Sequence, residues 1–291
     1  KNKTALSLSP LALLTLAACG GTSGGGSTSS KGAVQNGPLE GAFAFLDLHI
    51  GATFEGDGVY DINTEQGMPT QGATGALGVA GGYSLTEPAS GSYTLVATTN
   101  AATVDADTGT AYGAGITLKA PEGSSVITPQ TTLVESIVAA TGVAVTAAAI
   151  TAASTKVATA MGITLPAGET LATFDPYASG VDADVKLSMQ KANNNVMTVV
   201  KSMASAAEGA GVSAADASKL AFAGMYEYVD DATAAIVFTD AATMTAIRGD
   251  VVSAFDDYAA TPAGIALGLN NAAAKLEFSQ VAASVQTEII E

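Results

Sequence analysis

The chain changes character once, at Thr128-Pro129, and that change constrains its fold more than any other feature. Before it, short runs alternate at period two between turns rich in Gly and Pro. In Gly41-Ala42-Phe43-Ala44-Phe45-Leu46-Asp47-Leu48, Phe43 and Phe45 share one face, with Leu46 and Leu48 on the other. Gly82-Tyr83-Ser84-Leu85 and Ser92-Tyr93-Thr94-Leu95-Val96-Ala97-Thr98 are split by Pro88 and Gly91, which reads as a hairpin. Residues 114–119 and 125–127 read as two further strands. Many short strands joined by Gly-rich turns predict an antiparallel β-sandwich over residues 38–128.

After the change the text is Ala-rich and its period lengthens toward that of a helix. Thr128 can cap the first helix, and Pro129 fits a first-turn position whose N–H has no intrahelical partner. Leu133, Ile137 and Val138, then residues 143–160, predict two helices broken at Gly142. Residues 136–155 carry no charge, yet they hold Ser136, Thr141, Thr146, Thr151, Ser154 and Thr155. Buried helices fit that text better than a membrane span. Residues 182–208 predict one long helix with Val185, Met189, Val196, Val199, Val200 and Met203 on its apolar face. Met189, Met197 and Met203 read as core filler. Ser213 opens a helix through Tyr228, and Asp240 and Pro262 open two more. The expectation is an α+β protein of two domains, the sandwich at 38–128 and an all-α helical bundle at 129–291.

The N-terminus carries an address. Lys1 and Lys3 precede an apolar run, and Leu16-Ala17-Ala18-Cys19 ends it at the single cysteine of the chain. The run is shorter than the roughly 20 apolar residues a membrane-spanning helix needs. It resembles a bacterial lipoprotein signal with its lipobox. The resemblance implies a signal peptide at 1–18 and a mature N-terminus at Cys19, the lipid-attachment residue, acylated by chains such as palmitate. Residues 19–37 then read as the acylated cysteine and a flexible Gly/Ser linker. Gly20 after the cysteine, by the same resemblance, favours the outer membrane or cell surface of a Gram-negative bacterium. The membrane is thus the first expected partner, reached through a lipid and not through a span.

The spaced pair Gly82-Tyr83-Ser84-Leu85 and Gly91-Ser92-Tyr93-Thr94-Leu95 resembles the signature of transthyretin-like domains. These include the carboxypeptidase regulatory-like and Cna-B-type modules of bacterial surface proteins. The resemblance covers roughly residues 37–120 and implies a spacer or adhesion unit that is not an enzyme. Lys31 and Lys119 lie outside the opening strand, so the Lys–Asn isopeptide bond of some Cna-B modules is not carried over. Val126-Ile127-Thr128-Pro129-Gln130-Thr131-Thr132-Leu133 and the later Asp175-Pro176 resemble the helical region that follows such modules in large proteobacterial surface proteins.

Charge narrows the partners. The formal net charge is −16, with 27 acids against 11 bases, and Arg248 is the only arginine. Such a surface is a poor partner for nucleic acid, whose phosphates need Lys and Arg. Aromatics are only 5% and Trp is absent, so the core must be built from small aliphatic groups.

The densest set of candidate ligands lies between residues 47 and 65. Asp47, Glu55, Asp57, Asp61, Asn63 and Glu65 offer hard oxygens around Gly56 and Gly58, the donor type calcium takes in sixes to eights. Asp47, Asp57 and Asp61 match in order a pattern of the related surface modules, but His49 to Glu55 stretches the spacing and the EF-hand template fails. The stretch therefore reads either as a calcium site or as a solvated acidic loop. Asp105-Ala106-Asp107-Thr108-Gly109 reads as an acidic turn. His49 is the only histidine, so a Ser-His-Asp arrangement could be built only around it. Gly21-Thr22-Ser23-Gly24-Gly25 spells GxSxG without the strand and helix that motif requires. The sequence thus predicts a lipid-anchored, non-enzymatic adhesion or structural module, calcium its one candidate cofactor, with a glycan or protein surface as partner. The alternative is a lipoprotein that captures a small molecule or glycan between its two domains.

Overall fold

The computed structural model describes residues 29–49, 58–142 and 145–290. The signal-like run, Cys19, Glu55 and Asp57 lie outside the described residues. The strands are β1 (Ser29–Val34), β2 (Leu39–Glu40), β3 (Phe43–Leu48), β4 (Gly67–Pro69), β5 (Gly82–Thr86), β6 (Tyr93–Thr98), β7 (Val104–Asp105), β8 (Thr110–Ala111), β9 (Thr117–Ala120) and β10 (Val126–Ile127). They form three small sheets in the orders β10-β1-β5, β4-β3-β6-β9 and β2-β7-β8. All pairings are antiparallel except that of β1 with β10.

Two expectations are corrected here. β5 and β6 are not a hairpin: β5 pairs with β1, and β6 pairs with β3 and β9. Each strand has one strongly apolar face, and lying in separate sheets lets both faces meet across one core. The connection through Pro88 and Gly91 bridges the roughly 10 Å between packed sheets. The described part of the stretch expected as a linker, from residue 29, is also structured. Residues 29–34 form β1, the central strand of its sheet. Its Gly/Ser text hides a packing requirement: a Cβ on Gly32 would meet the Ser125 carbonyl oxygen at 2.1 Å and the Tyr83 hydroxyl at 2.7 Å. Glycine at this position admits the neighbouring backbone.

The helices are α1 (Pro129–Ala140), α2 (Ala147–Met161), α3 (Ala183–Gly209), α4 (Ala214–Asp231), α5 (Ala241–Ala260), α6 (Pro262–Ala266) and α7 (Ala272–Ile290). Their starts follow from side-chain caps. The Thr128 hydroxyl accepts the Thr131 N–H at 3.0 Å, and the Thr131 hydroxyl accepts the Thr128 N–H at 2.7 Å. Thr146, Asp182, Ser213 and Asp240 cap α2, α3, α4 and α5. Gly162 stops α2 at φ 65°, in the left-handed region. Met189, Met197 and Met203 are buried as core filler. The text did not single out α7, which is fixed by Phe278 stacking on Phe255 of α5 with centroids 4.0 Å apart. Among the described residues no helix is long and apolar enough to cross a membrane.

One buried apolar cluster runs through both halves. It joins Leu46, Tyr83, Leu95, Leu118 and Ile127 of the sheets to Leu133, Val200, Phe222, Phe255 and Phe278 of the helices. Ala44, Leu46, Leu95, Ala97, Leu118 and Ala120 line the inner face of the four-stranded sheet. Helices close its β9 edge. The Lys119 N–H donates to the Thr132 hydroxyl at 2.9 Å, the Thr131 hydroxyl donates to the Lys119 carbonyl at 2.8 Å, and the Thr117 N–H reaches the Ser218 hydroxyl at 3.4 Å. Hydroxyls of α1 and α4 thus satisfy backbone groups that a sheet edge otherwise leaves open. The other sheet is tied to the following loop by the Ser125 N–H on the Ala172 carbonyl at 2.9 Å and by Gln35 Nε2 on Asp175 Oδ1 at 2.7 Å.

Candidate functional site

Where the outer face of the four-stranded sheet meets α1, the chain buries a polar cluster. Period two puts Phe43, Phe45, Asp47 and His49 on this face of β3 and its extension, opposite Thr94 and Val96 of β6. Lys119 lies beyond them on β9, opposite Val96. Tyr60 covers the aromatic end, its ring 4.8 Å from Phe43 and 5.6 Å from Phe45. At the polar end Asp47 is 1% exposed, Thr94 5% and Glu135 of α1 7%.

Four side chains form a continuous chain of hydrogen bonds. Thr94 Oγ1 donates to Glu135 Oε1 at 2.8 Å, and His49 Nε2 stands 2.9 Å from Thr94 Oγ1. His49 Nδ1 stands 3.1 Å from the Ser92 hydroxyl. Thr94 has one proton and gives it to Glu135, so it accepts from the imidazole. A proton on Nε2 matches that acceptor, in the neutral ring and in the imidazolium alike. Burial pushes the Glu135 carboxyl above its usual range; the Thr94 bond and Lys119 pull it back, and the Asp47 charge adds to the rise. Lys119 Nζ and Lys219 Nζ of α4 both lie within 3.7 Å of where a Gly58 Cβ would stand, so two cations enter beside the two acids.

Of the expected calcium ligands, Asp47, Asp61, Asn63 and Glu65 are among the described residues. Asp47 Oδ2 accepts the Gly58 N–H at 2.8 Å. Glu65 accepts the Leu48 N–H at 2.9 Å with one oxygen and the Asp61 N–H at 2.8 Å with the other. Asp61 accepts the Asn63 N–H at 2.9 Å, the Asn63 amide at 3.0 Å and the Thr64 hydroxyl at 3.0 Å. These bonds, the Asn63 backbone one foremost, hold the Asp61 carboxyl below its usual range. The structure therefore brings Asp47 of β3 against the stretch that carries Asp61 and Glu65, and the three carboxylates accept the backbone N–H groups of Leu48, Gly58, Asp61 and Asn63. Among the described residues no group of three or more His, Cys, Asp or Glu is placed to hold a metal.

Three further acids fill structural roles. Asp105 accepts the Asp107 N–H at 2.9 Å inside the β7–β8 turn. Asp182 caps α3, and Asp230 pairs with Lys156 at 2.5 Å across α4 and α2. That ion pair sits on the rim of an open groove of about 420 Å³ among α1, α2 and α4. A smaller cavity of about 180 Å³ lies at one end of the sandwich, walled by Leu46, Leu48, Thr64, Gln66 and residues 86–88.

Sequence reasoning singled out Asp47 and His49 but missed Thr94, Lys119 and Glu135. One signal was available: Glu135 is the only charged residue from 129 to 155, set among Leu133, Val134, Ile137 and Val138. A lone acid on an apolar helix face points to a buried polar partner. No protein-family model, curated protein or solved structure matches the chain.

Proposed function

We propose that this chain is a lipid-anchored cell-surface or outer-membrane protein that serves as an adhesion or structural module. Cys19 carries the anchor, and a transthyretin-like sandwich is followed by a helical layer. The observation that carries the reading is the bonding of the acidic loop: Asp47, Asp61 and Glu65 brace its backbone from within. Residues 58–65 are thereby held in one shape at the surface. Calcium enters the reading only through Glu55 and Asp57, because the described acids do not form a cage by themselves. Capture of a ligand between sheet and helices has less support, since that joint is filled by Thr94, Glu135 and the hydroxyls that cap β9.

The test is expression of the full chain in a Gram-negative host with labelled palmitate, followed by membrane fractionation and binding of whole cells to immobilised glycans and matrix proteins. The reading expects label and membrane association that vanish in Cys19→Ser, together with surface binding. Label retained in Cys19→Ser would overturn the anchor. Anchored chain that adds no binding would leave the structural half of the reading and remove adhesion. Calcium is read separately, by melting in its presence: a ligand of the folded state raises the melting temperature with concentration.

A further inference from the structure

We infer that the open groove among α1, α2 and α4 binds a small apolar molecule that carries a primary ammonium group. The site lies within the helical layer, apart from the joint between sheet and helices. It goes beyond the anchoring and adhesion role and does not depend on it.

The shape of the groove admits such a guest. Its volume is about 420 Å³, inside the roughly 300–1,000 Å³ of small-molecule sites. Val138 of α1 and Ala149, Ala152 and Ala153 of α2 make an apolar wall. The short alanine side chains leave the room that larger residues on α2 would fill. The charged residues of the lining are Lys156 and Asp230, joined by the Tyr226 ring of α4. Tyr226 and Asp230 are four residues apart on one helix, so they share a face. An apolar wall with a few polar groups is the anatomy of a site that orients its ligand.

Charge selects the guest. Lys156 Nζ and Asp230 Oδ1, 2.5 Å apart, offset one another. Beyond that pair the field is negative. Burial, and then Glu227, Asp230 and Asp231, push the Tyr226 hydroxyl above its usual range. Burial, and then Asp231, do the same to the carboxyl of Asp250 on α5. Among the described residues none of Glu227, Asp231 and Asp250 stands in an ion pair. A field of this sign draws in an ammonium and repels a carboxylate. Asp230 can accept a charge-assisted bond from the ammonium, and the neighbouring Tyr226 ring adds the attraction an aromatic face offers a cation.

The test is calorimetric titration of the purified full chain with hexylammonium and, separately, with hexanoate. The inference expects saturable binding of the amine and none of the carboxylate at the same concentrations. Ala152→Phe fills the groove and should abolish that binding. Asp230→Asn should weaken it by about 10-fold or more, the scale of one hydrogen bond to a charged group. Lys156→Met removes the internal competitor for Asp230 and should hold or tighten it. Circular dichroism melts show which variants fold, and Ala152→Phe and Asp230→Asn probe separate walls, so either one can be read without the other. No binding of hexylammonium, equally tight binding of hexanoate, undiminished binding in folded Ala152→Phe or Asp230→Asn, or loss of binding in folded Lys156→Met would each overturn it.

Discussion

The two faces of the β4-β3-β6-β9 sheet bury comparable side chains by different means. The inner face meets the second sheet through Ala44, Leu46, Leu95, Ala97, Leu118 and Ala120, with no polar group among them. The outer face lies against α1 and carries Asp47, Thr94 and Lys119, each held by hydrogen bonds or opposite charge. The inner face is stabilised by area removed from water, at roughly 25 cal/mol per Å² of apolar surface. The outer face gains little net energy from its bonds, but a single unpaired group there is expensive. The first kind of face sets stability, and the second fixes which helix sits on the sheet and in what register.

Substitutions can break that contrast, beginning with the largest. Leu95→Ala on the inner face leaves a cavity in a position that is 0% exposed. It should cost about 2–5 kcal/mol in denaturant unfolding. Thr94→Val on the outer face keeps the shape and removes the hydroxyl. It takes the hydroxyl partner from Glu135 and from His49 Nε2, and should cost about 1–3 kcal/mol. If the outer-face change proved harmless, the polar cluster would be ornament and the contrast would fail.

The third substitution sharpens the electrostatic side. Burial raises the Glu135 carboxyl in the folded chain. The folded state therefore binds that proton more tightly than the unfolded state, whose ordinary value is about 4.3. The resulting stability is present in full below that value and is lost as pH rises through the folded one. Glu135→Gln keeps an oxygen for Thr94 and removes the titration. It should gain on the wild type between pH 4 and pH 8, by less than either preceding effect, in melting temperatures taken across that range. A constant difference at every pH would contradict the assignment. Smallest of all is Lys156→Met, which removes an ion pair whose side chains are 38% and 35% exposed. Solvent screening leaves such pairs about 1 kcal/mol at most.

The same contrast explains what could be read in advance. The period-two strands around Phe43 to Leu48 and Tyr93 to Thr98 were legible, because alternation reports a face directly. The helices from Thr128 to Asp231 were legible from their caps and spacing. The partner of each face was not legible. Nothing local in Gly82-Tyr83-Ser84-Leu85 says that its neighbour is β1 and not β6, because pairing is decided by the core both strands share. β1 itself was hidden, since Gly32 is there for close approach and Gly/Ser text otherwise signals a linker. At the site, Asp47 and His49 could be named as candidates, but Glu135 comes from a helix 41 residues beyond Thr94. That separation is closed only by folding.

Sheets and helices share one buried cluster, stitched at the β9 edge and through the Thr94–Glu135 seam, and should unfold as one cooperative unit. Calorimetric unfolding of the chain tests it most directly. One transition is expected, with equal calorimetric and van't Hoff enthalpies, that moves as a whole in Thr94→Val. Two separable transitions, one of which is unmoved by that substitution, would contradict it and return the molecule to two independent domains.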